Sequence, residues 1–279
     1  MTLPPFDLHR PESAEEAREL LVRHGDDAAV LCGGTELLLL LKLGYAVYGH
    51  LVDIRRIEEL RGVSAENGDL VLGAAATHRE IERSPLVAER LPALADMEHR
   101  VANLRVRNVG TLGGNLCFSD PHSDPATFLH AVDAEAEWDG GRAQLADFLV
   151  GPYETRLAPG ELLRRIRIPA QTAGLRLVHR KLAFHERPAA TVTCGVVVHE
   201  GTVVEARLAV GSVGARAVRA TAAEEQLTGA PAGDEAVLAE AAERAAEAAG
   251  AVEDANGSAA YKEQLVRVLV QRCFREAVG

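Results

Sequence analysis

The sequence predicts a chain of the α+β class: a mixed α/β N-terminal part, then a C-terminal part in which strands come before helices. Three observations predict it. Between residues 13 and 54, helical and strand patterns alternate around a double-glycine turn, as in a small α/β unit. From residue 175 to 211, three apolar stretches follow one another, the last two joined tightly at Glu200-Gly201. After residue 215 come three helical stretches, the middle one rich in Ala and Glu. The 279 residues, 47% hydrophobic and 25% charged, suffice for one large or two smaller cores and exclude wholesale disorder.

Each element has a local reason. Ser13 and Glu16 form a capping-box pattern ahead of Ala17, Leu20 and Leu21, and Gly25 ends that helix. Ala28–Leu31 reads as a short strand and Cys32-Gly33-Gly34-Thr35 as a turn. Glu36–Leu43 reads as a leucine-rich buried helix and His50–Ile54 as a second strand. Val63–Ala65 and Leu70–Gly73 flank Glu66-Asn67-Gly68-Asp69, a hairpin signal. Thr77 and Glu80 start a capped helix, and Ser84-Pro85 starts a longer one reaching about His99. Residues 102–124 read as a loop-rich stretch. Asp124-Pro125 opens a short helix to Val132 as an N-cap and N1 pair. Ala134–Trp138 and Arg142–Leu145 form a hairpin over Asp139-Gly140-Gly141, and Pro169 stops a strand at Leu162–Ile168. Beyond a boundary near 169–175 lie strands Leu175–Phe184, Thr191–His199 and Thr202–Gly211, then helices near Ala215–Leu227, Asp234–Ala249 and Ser258–Ala277.

Composition narrows the function classes. A net charge of −11 argues against a general nucleic-acid binder. No run of about 18 apolar residues predicts a membrane span, and the N-terminus lacks the pattern of a secretory signal. The four cysteines, Cys32, Cys117, Cys194 and Cys273, lie far apart, so no zinc or iron–sulfur site is expected and a reducing cytoplasm is. Redox chemistry then needs an organic cofactor or a partner. Only three of the 30 basic residues are lysine, Lys42, Lys181 and Lys262, an imbalance that codon usage explains.

Two double-glycine turns stand out: Cys32-Gly33-Gly34-Thr35-Glu36, and Thr111-Leu112-Gly113-Gly114-Asn115 inside the 102–124 loop. Glycine lets the backbone reach φ > 0 and approach a ligand closely. Successive amides in such turns can form an anion nest, so two of them could grip a pyrophosphate, although each is also an ordinary tight turn. Neither is a Rossmann or Walker A fingerprint. Asp120 and Asp124 offer carboxylates for ribityl or ribose hydroxyls, and with His122 they make a weak metal-ligand pattern. Lys181, near the end of an apolar strand, is either a solvated edge residue or an ammonium donating to a ring carbonyl. No G-x-S-x-G, H-E-x-x-H or H-R-D pattern appears, and no catalytic residue is assigned.

These motifs together give the chain a resemblance to the FAD-binding medium subunit of the molybdenum hydroxylase family, which includes carbon monoxide and xanthine dehydrogenases. The resemblance runs nearly end to end. It rests on Phe6-Asp7-Leu8-His9-Arg10-Pro11, the turn at 32–38, Leu51-Val52-Asp53-Ile54, and the turn at 111–115. It continues through the Asp-Pro loop at 120–125, Pro159-Gly160-Glu161-Leu162-Leu163 and Arg180-Lys181-Leu182. The resemblance implies a PCMH-type FAD-binding domain over 1–170, its α/β subdomains (about 1–57 and 58–170) holding FAD between them. It also implies a C-terminal domain over 171–279 with a three-stranded antiparallel sheet and a helical bundle. Carried over by position, Leu31, Cys32, Gly33, Gly34, Thr35, Glu36 and Leu37 form one pyrophosphate clamp; Thr111, Gly113, Gly114 and Asn115 form the other. Asp124 matches a carboxylate on the FAD chain, Leu163 an apolar contact, Lys181 a lysine at the flavin pyrimidine carbonyl, and Val101 and Ala102 residues near the ring. Two positions depart from the family pattern: Glu36 carries extra reach into the clamp, and Pro188, in His185-Glu186-Arg187-Pro188, stands where a Tyr or Ile often flanks the flavin.

The implied function is a redox flavoprotein subunit. Electrons would pass from the substrate, on a molybdopterin-containing large subunit, through a [2Fe-2S] small subunit to FAD here, then to a quinone, NAD or another acceptor. One alternative is a free-standing FAD-dependent oxidoreductase acting directly on a small molecule, against which stands the lack of a recognisable substrate domain. The other is a non-catalytic assembly module.

Overall fold

The computed structural model describes residues 2–184 and 187–279. In chain order its elements are β1 (Asp7–His9), α1 (Ala14–His24), β2 (Ala28–Leu31), α2 (Leu37–Leu43), β3 (His50–Asp53), β4 (Val63–Glu66), β5 (Asp69–Gly73), α3 (His78–Arg83), α4 (Pro85–Arg90), α5 (Pro92–His99), α6 (Leu104–Val109), α7 (Leu112–Phe118) and α8 (Asp124–Ala131). There follow β6 (Glu135–Trp138), β7 (Gly141–Gln144), α9 (Leu145–Phe148), β8 (Leu149–Gly151), β9 (Glu154–Thr155), β10 (Leu163–Ile168), β11 (Arg176–Ala183), β12 (Pro188–His199), β13 (Thr202–Gly211), β14 (Val218–Arg219), α10 (Thr221–Leu227), α11 (Glu235–Ala249) and α12 (Ala259–Val278). They fall into two compact units. The first holds Met1–Phe118, Glu135–Phe148 and Glu154–Arg167; the second holds Ser119–Ala134, Leu149–Tyr153 and Ile168–Gly279.

The first unit begins with a three-stranded parallel sheet in the order β1-β3-β2. One of its cores sets Ala14, Ala17 and Leu21 of α1 against Val52, Ile54 and Ile57; another joins Leu31, Leu41 and Leu51. Those α1 positions recur at three and four residues, which puts them on one helical face. Ser13 caps α1 through the Glu16 amide at 3.1 Å, but the capping box is not closed: Glu16 accepts from the Glu12 amide at 2.8 Å instead. A five-stranded sheet in the order β4-β5-β10-β6-β7 follows. The β4–β5 turn is the expected hairpin, with Asn67 and Gly68 at φ 53° and 95°, the left-handed pair of a type I′ turn. Thr77 and Glu80 close their capping box on α3.

Several expectations need correction here. Residues 102–124 are not a loop: Asn103 caps α6, and α7 begins at Leu112. Tertiary contacts made this helix, since Leu112 and Gly113 donate to Ala76 O and Ala74 O at 3.0 and 2.9 Å. The long helix to His99 is two, α4 and α5, because Pro92 has no N–H and pushes Leu91 out of the helical region, to φ −149°. Strand β1 went unread, since three residues carry too little period and its partner lies about forty residues away.

The second unit is built on an antiparallel sheet in the order β11-β12-β13-β14. The expected three strands are therefore four. The helix placed from Ala215 starts only at Thr221, because Val218 and Arg219 pair with Val210 and Ala209. Helix α12 turns Val266, Val270, Cys273, Phe274 and Ala277 into one core with Val192, Cys194 and Val196 of β12. Helices α10 and α11 add Ala223, Leu227, Leu238, Ala242 and Ala246. Lys262, without a role in the sequence, is wholly buried and paired with Asp254 at 2.6 Å.

Candidate functional site

The first double-glycine turn joins β2 to α2 in the first unit. Leu31 and Cys32 are buried at the strand end, Gly33 to Glu36 form the turn, and Leu37 opens the helix. Leu38 and Leu40 donate to Gly34 O and Glu36 O at 3.1 and 3.0 Å, closing the first helical turn. Gly34 sits at φ +71°, which favours glycine. At Gly33 the requirement is space: an added Cβ would lie 2.5 Å from Val109 O, 2.7 Å from Gly110 Cα and 3.0 Å from Thr111 N. The turn thus packs backbone to backbone on the segment entering α7. Burial raises the Cys32 thiol pKa, with a Thr111 contact opposing it. The amides of Gly34 and Thr35 meet no acceptor among the described residues. Two successive N–H groups without acceptors suit an anionic ligand.

The second turn behaves differently from the expectation. Thr111 is buried and bridges Thr77, while Gly113, Gly114 and Asn115 belong to α7. Their amides are engaged: Gly113 with Ala74 O, Gly114 with Thr111 Oγ1 at 3.2 Å, Asn115 with Thr111 O at 2.9 Å. Gly113 is a packing glycine, since its Cβ would fall 2.5 Å from Ala74 O. This segment therefore supplies no free amide nest; it supplies the surface on which Gly33 rests. Nearby in sequence, the Val101 carbonyl accepts from Arg107 Nη1 at 3.0 Å. Ala102 holds φ +40°, a left-handed conformation that costs a non-glycine residue about 1 kcal/mol. Asn103 caps α6 immediately after it. Leu163 is buried where β10 meets Trp138 of β6.

Asp124 and Lys181 belong to the second unit. Ser123, not Asp124, caps α8, accepting from Ala126 N at 3.0 Å. Asp124 is thereby released as the first helical residue, its carboxylate buried. Its Oδ2 accepts a short hydrogen bond from Lys181 Nζ, and its Oδ1 lies 3.6 Å from His179 Nε2. Burial acts to raise the Asp124 pKa, but His179 and Lys181 outweigh it and hold the carboxyl below its usual range. Asp124 Oδ1 and His179 Nε2, both buried, have no hydrogen-bond partner among the described residues. The sequence reading missed His179, although it stands two residues before Lys181 on β11 and shares its face. Thr193, its cross-strand neighbour, fixes the ring through Nδ1 at 2.8 Å.

The weak metal pattern at 120–124 does not assemble. Asp120 takes His122 Nδ1 at 3.0 Å and Arg187 at 3.0 Å, while Asp124 pairs elsewhere. Pro188 is buried at the start of β12, and its neighbours His185 and Glu186 lie outside the described residues.

Each of these sets, taken by itself, has the chemistry that one part of FAD requires. An acceptor-free pair of amides beside a glycine cradle suits the pyrophosphate, and an unsatisfied buried Asp–His pair with a lysine suits hydroxyl or carbonyl groups. Comparison with known proteins points the same way. The family described as the FAD binding domain in molybdopterin dehydrogenase matches residues 4–171, and the CO dehydrogenase flavoprotein C-terminal domain matches 180–277. The carbon monoxide dehydrogenase medium chain of Hydrogenophaga pseudoflava is 37% identical over 287 residues, 99% of this chain and 98% of that one. A chain of the solved structure from that organism superposes with a TM-score of 0.94 at 35% identity, covering 99% and 98%. A chain of quinoline 2-oxidoreductase from Pseudomonas putida gives 0.93 at 32%, covering 99% and 98%. On these matches, which run from one end of the sequence to the other, the chain belongs to the FAD-binding flavoprotein subunits of the molybdenum hydroxylase family.

Proposed function

We propose that the chain is the flavin-carrying electron-transfer subunit of a heteromeric dehydrogenase. A [2Fe-2S] small subunit would deliver electrons from a molybdopterin-containing large subunit, and a quinone, NAD or another acceptor would take them away. The observation that carries this reading is the end-to-end match to medium chains of carbon monoxide dehydrogenase, proteins named as one chain of several. FAD, when bound, supplies the exchange between two-electron and one-electron chemistry that such a relay requires.

The chain's own residues bind, orient and tune. In this reading the turn from Leu31 to Leu37 holds the pyrophosphate through the Gly34 and Thr35 amides. Thr111, with the α7 residues Gly113, Gly114 and Asn115, backs it. Val101, Ala102 and Leu163 form apolar surroundings. Asp124 accepts from hydroxyls of the FAD chain, and Lys181 donates to the pyrimidine carbonyl while staying paired with Asp124. A cation there favours negative charge on the reduced ring and raises its potential. We also propose the division into a FAD-binding domain over 1–170, with subdomains about 1–57 and 58–170, and a C-terminal domain over 171–279; the two family matches support it. Four free cysteines suit a cytoplasmic setting.

Native co-purification tests the proposal. Recovery of the chain with an iron–sulfur and a molybdenum-containing partner, and flavin bleaching on adding the complex's substrate, is the expected result. A chain that purifies alone and oxidises a small molecule unaided contradicts it in favour of a free-standing flavoenzyme.

A further inference from the structure

Three histidines from three separate elements of the first unit meet at one place. His9 ends β1, His24 ends α1 and His50 starts β3. His9 Nε2 lies 3.0 Å from His50 Nδ1, and the His24 and His50 rings are 3.7 Å apart between centroids. One ring nitrogen from each falls within 4.8 Å of the others. A tetrahedral zinc ion with Zn–N bonds of about 2.0–2.1 Å needs nitrogens about 3.4 Å apart, so small side-chain rotations close the set. All three rings are partly exposed, which leaves an entry path.

Two carboxylates complete the surroundings. Asp7 Oδ2 is 3.8 Å from His50 Nδ1, on the side where His9 stands. Asp27 Oδ2 is 4.0 Å from the opposite nitrogen, Nε2. Asp27 is anchored by the Gly49 amide at 2.8 Å, and a Cβ at Gly49 would sit 2.5 Å from Asp27 Oδ2. Glycine before His50 therefore makes room for a carboxylate behind the ring, the outer contact that orients a metal-bound histidine.

We propose that His9, His24 and His50 bind one divalent transition-metal ion of the zinc type, with Asp7 as fourth ligand and Asp27 orienting His50. Imidazole donors select zinc, nickel, cobalt or copper over magnesium and calcium. The ion ties the C-terminal end of α1 to β1 and β3. None of these five residues is among those assigned to flavin. Cysteine and histidine spacing did not reveal it, because the ligands lie 15 and 26 residues apart along the chain.

The test uses the tag-free, FAD-loaded full chain stripped with a chelator. Zinc titrated by calorimetry should bind at one ion per chain. Cobalt should develop the visible bands of tetrahedral coordination, and the melting temperature should rise with zinc but not with magnesium. His24→Gln, at a partly exposed helix end, should weaken zinc binding about tenfold or more while keeping the metal-free melting curve and flavin content. His50→Gln should do the same, its flavin absorbance reporting that it has folded. Absence of zinc-dependent stabilisation in the wild-type chain, or zinc binding as tight as wild type in both variants, overturns the proposal.

Discussion

Replacing Gly33 by alanine adds one methyl group at the tightest backbone contact of the proposed pyrophosphate turn. The new Cβ starts 2.5 Å from Val109 O and 2.7 Å from Gly110 Cα. Both are backbone atoms, so no rotamer relieves the clash. Ordinary contact begins at 3.4 Å, so the turn and the segment entering α7 must part by about 0.9 Å. Overpacking of this kind costs about 1–3 kcal/mol. The displacement also moves the Gly34 and Thr35 amides; misaligning one charge-assisted bond to phosphate costs about 1.5–3 kcal/mol, roughly 10- to 150-fold in affinity. Fluorescence titration of the flavin-free chain with FAD reads the affinity, and calorimetric melting reads the stability. Gly229→Ala is the control: at φ +85° with nothing within 4 Å, it introduces strain without a clash, in the second unit. It should lower stability by about 1 kcal/mol and leave FAD affinity unchanged. FAD affinity in Gly33→Ala within twofold of wild type would refute the assignment of this turn.

Lys181→Ala should lower the flavin midpoint potential by roughly 30 mV if the ammonium favours the reduced ring by about 1.4 kcal/mol; an unchanged midpoint in potentiometric titration counts against that role. The same change strands the buried Asp124 carboxylate, costing about 3 kcal/mol in denaturant unfolding, and Lys181→Arg should restore most of it. Glu82 shows the acid dependence: burial works against its charge, but His99, Arg79 and Arg107 outweigh that and bring its pKa from 4.5 down to about 2. Its stabilisation is full above pH 4.5 and is lost as pH falls toward 2, so Glu82→Gln should flatten the stability curve in that window; parallel acid limbs for both proteins would contradict this. All four cysteines are free, and burial pushes Cys117 and Cys273 up to about 12, so iodoacetamide at neutral pH should label them only on unfolding; mass spectrometry of the labelled native chain checks it.

What the sequence made legible was local. The Asn67-Gly68 turn, the Thr77 capping box and the long strands of the second unit follow from residues near one another. What it hid depends on distant partners. Gly113-Gly114 reads as a turn by composition, yet the Ala74 and Ala76 carbonyls draw it into a helix. Val218 and Arg219 look helical until β13 offers them a partner. At the candidate site, the first glycine turn was legible because glycine has few other uses between a strand and a helix. The reason for Gly33 was not, since it lies on the backbone at 109–111. His179 was reachable by strand alternation from Lys181, whereas its approach to Asp124 required the fold.

The central claim is that FAD is held through the turn between β2 and α2. A crystal structure of the FAD-loaded chain tests it most directly. Pyrophosphate oxygens should lie within hydrogen-bond distance of the Gly34 and Thr35 amides, with Gly33 still packed on Val109 and Gly110. A pyrophosphate held elsewhere, with those two amides left to solvent, would contradict it.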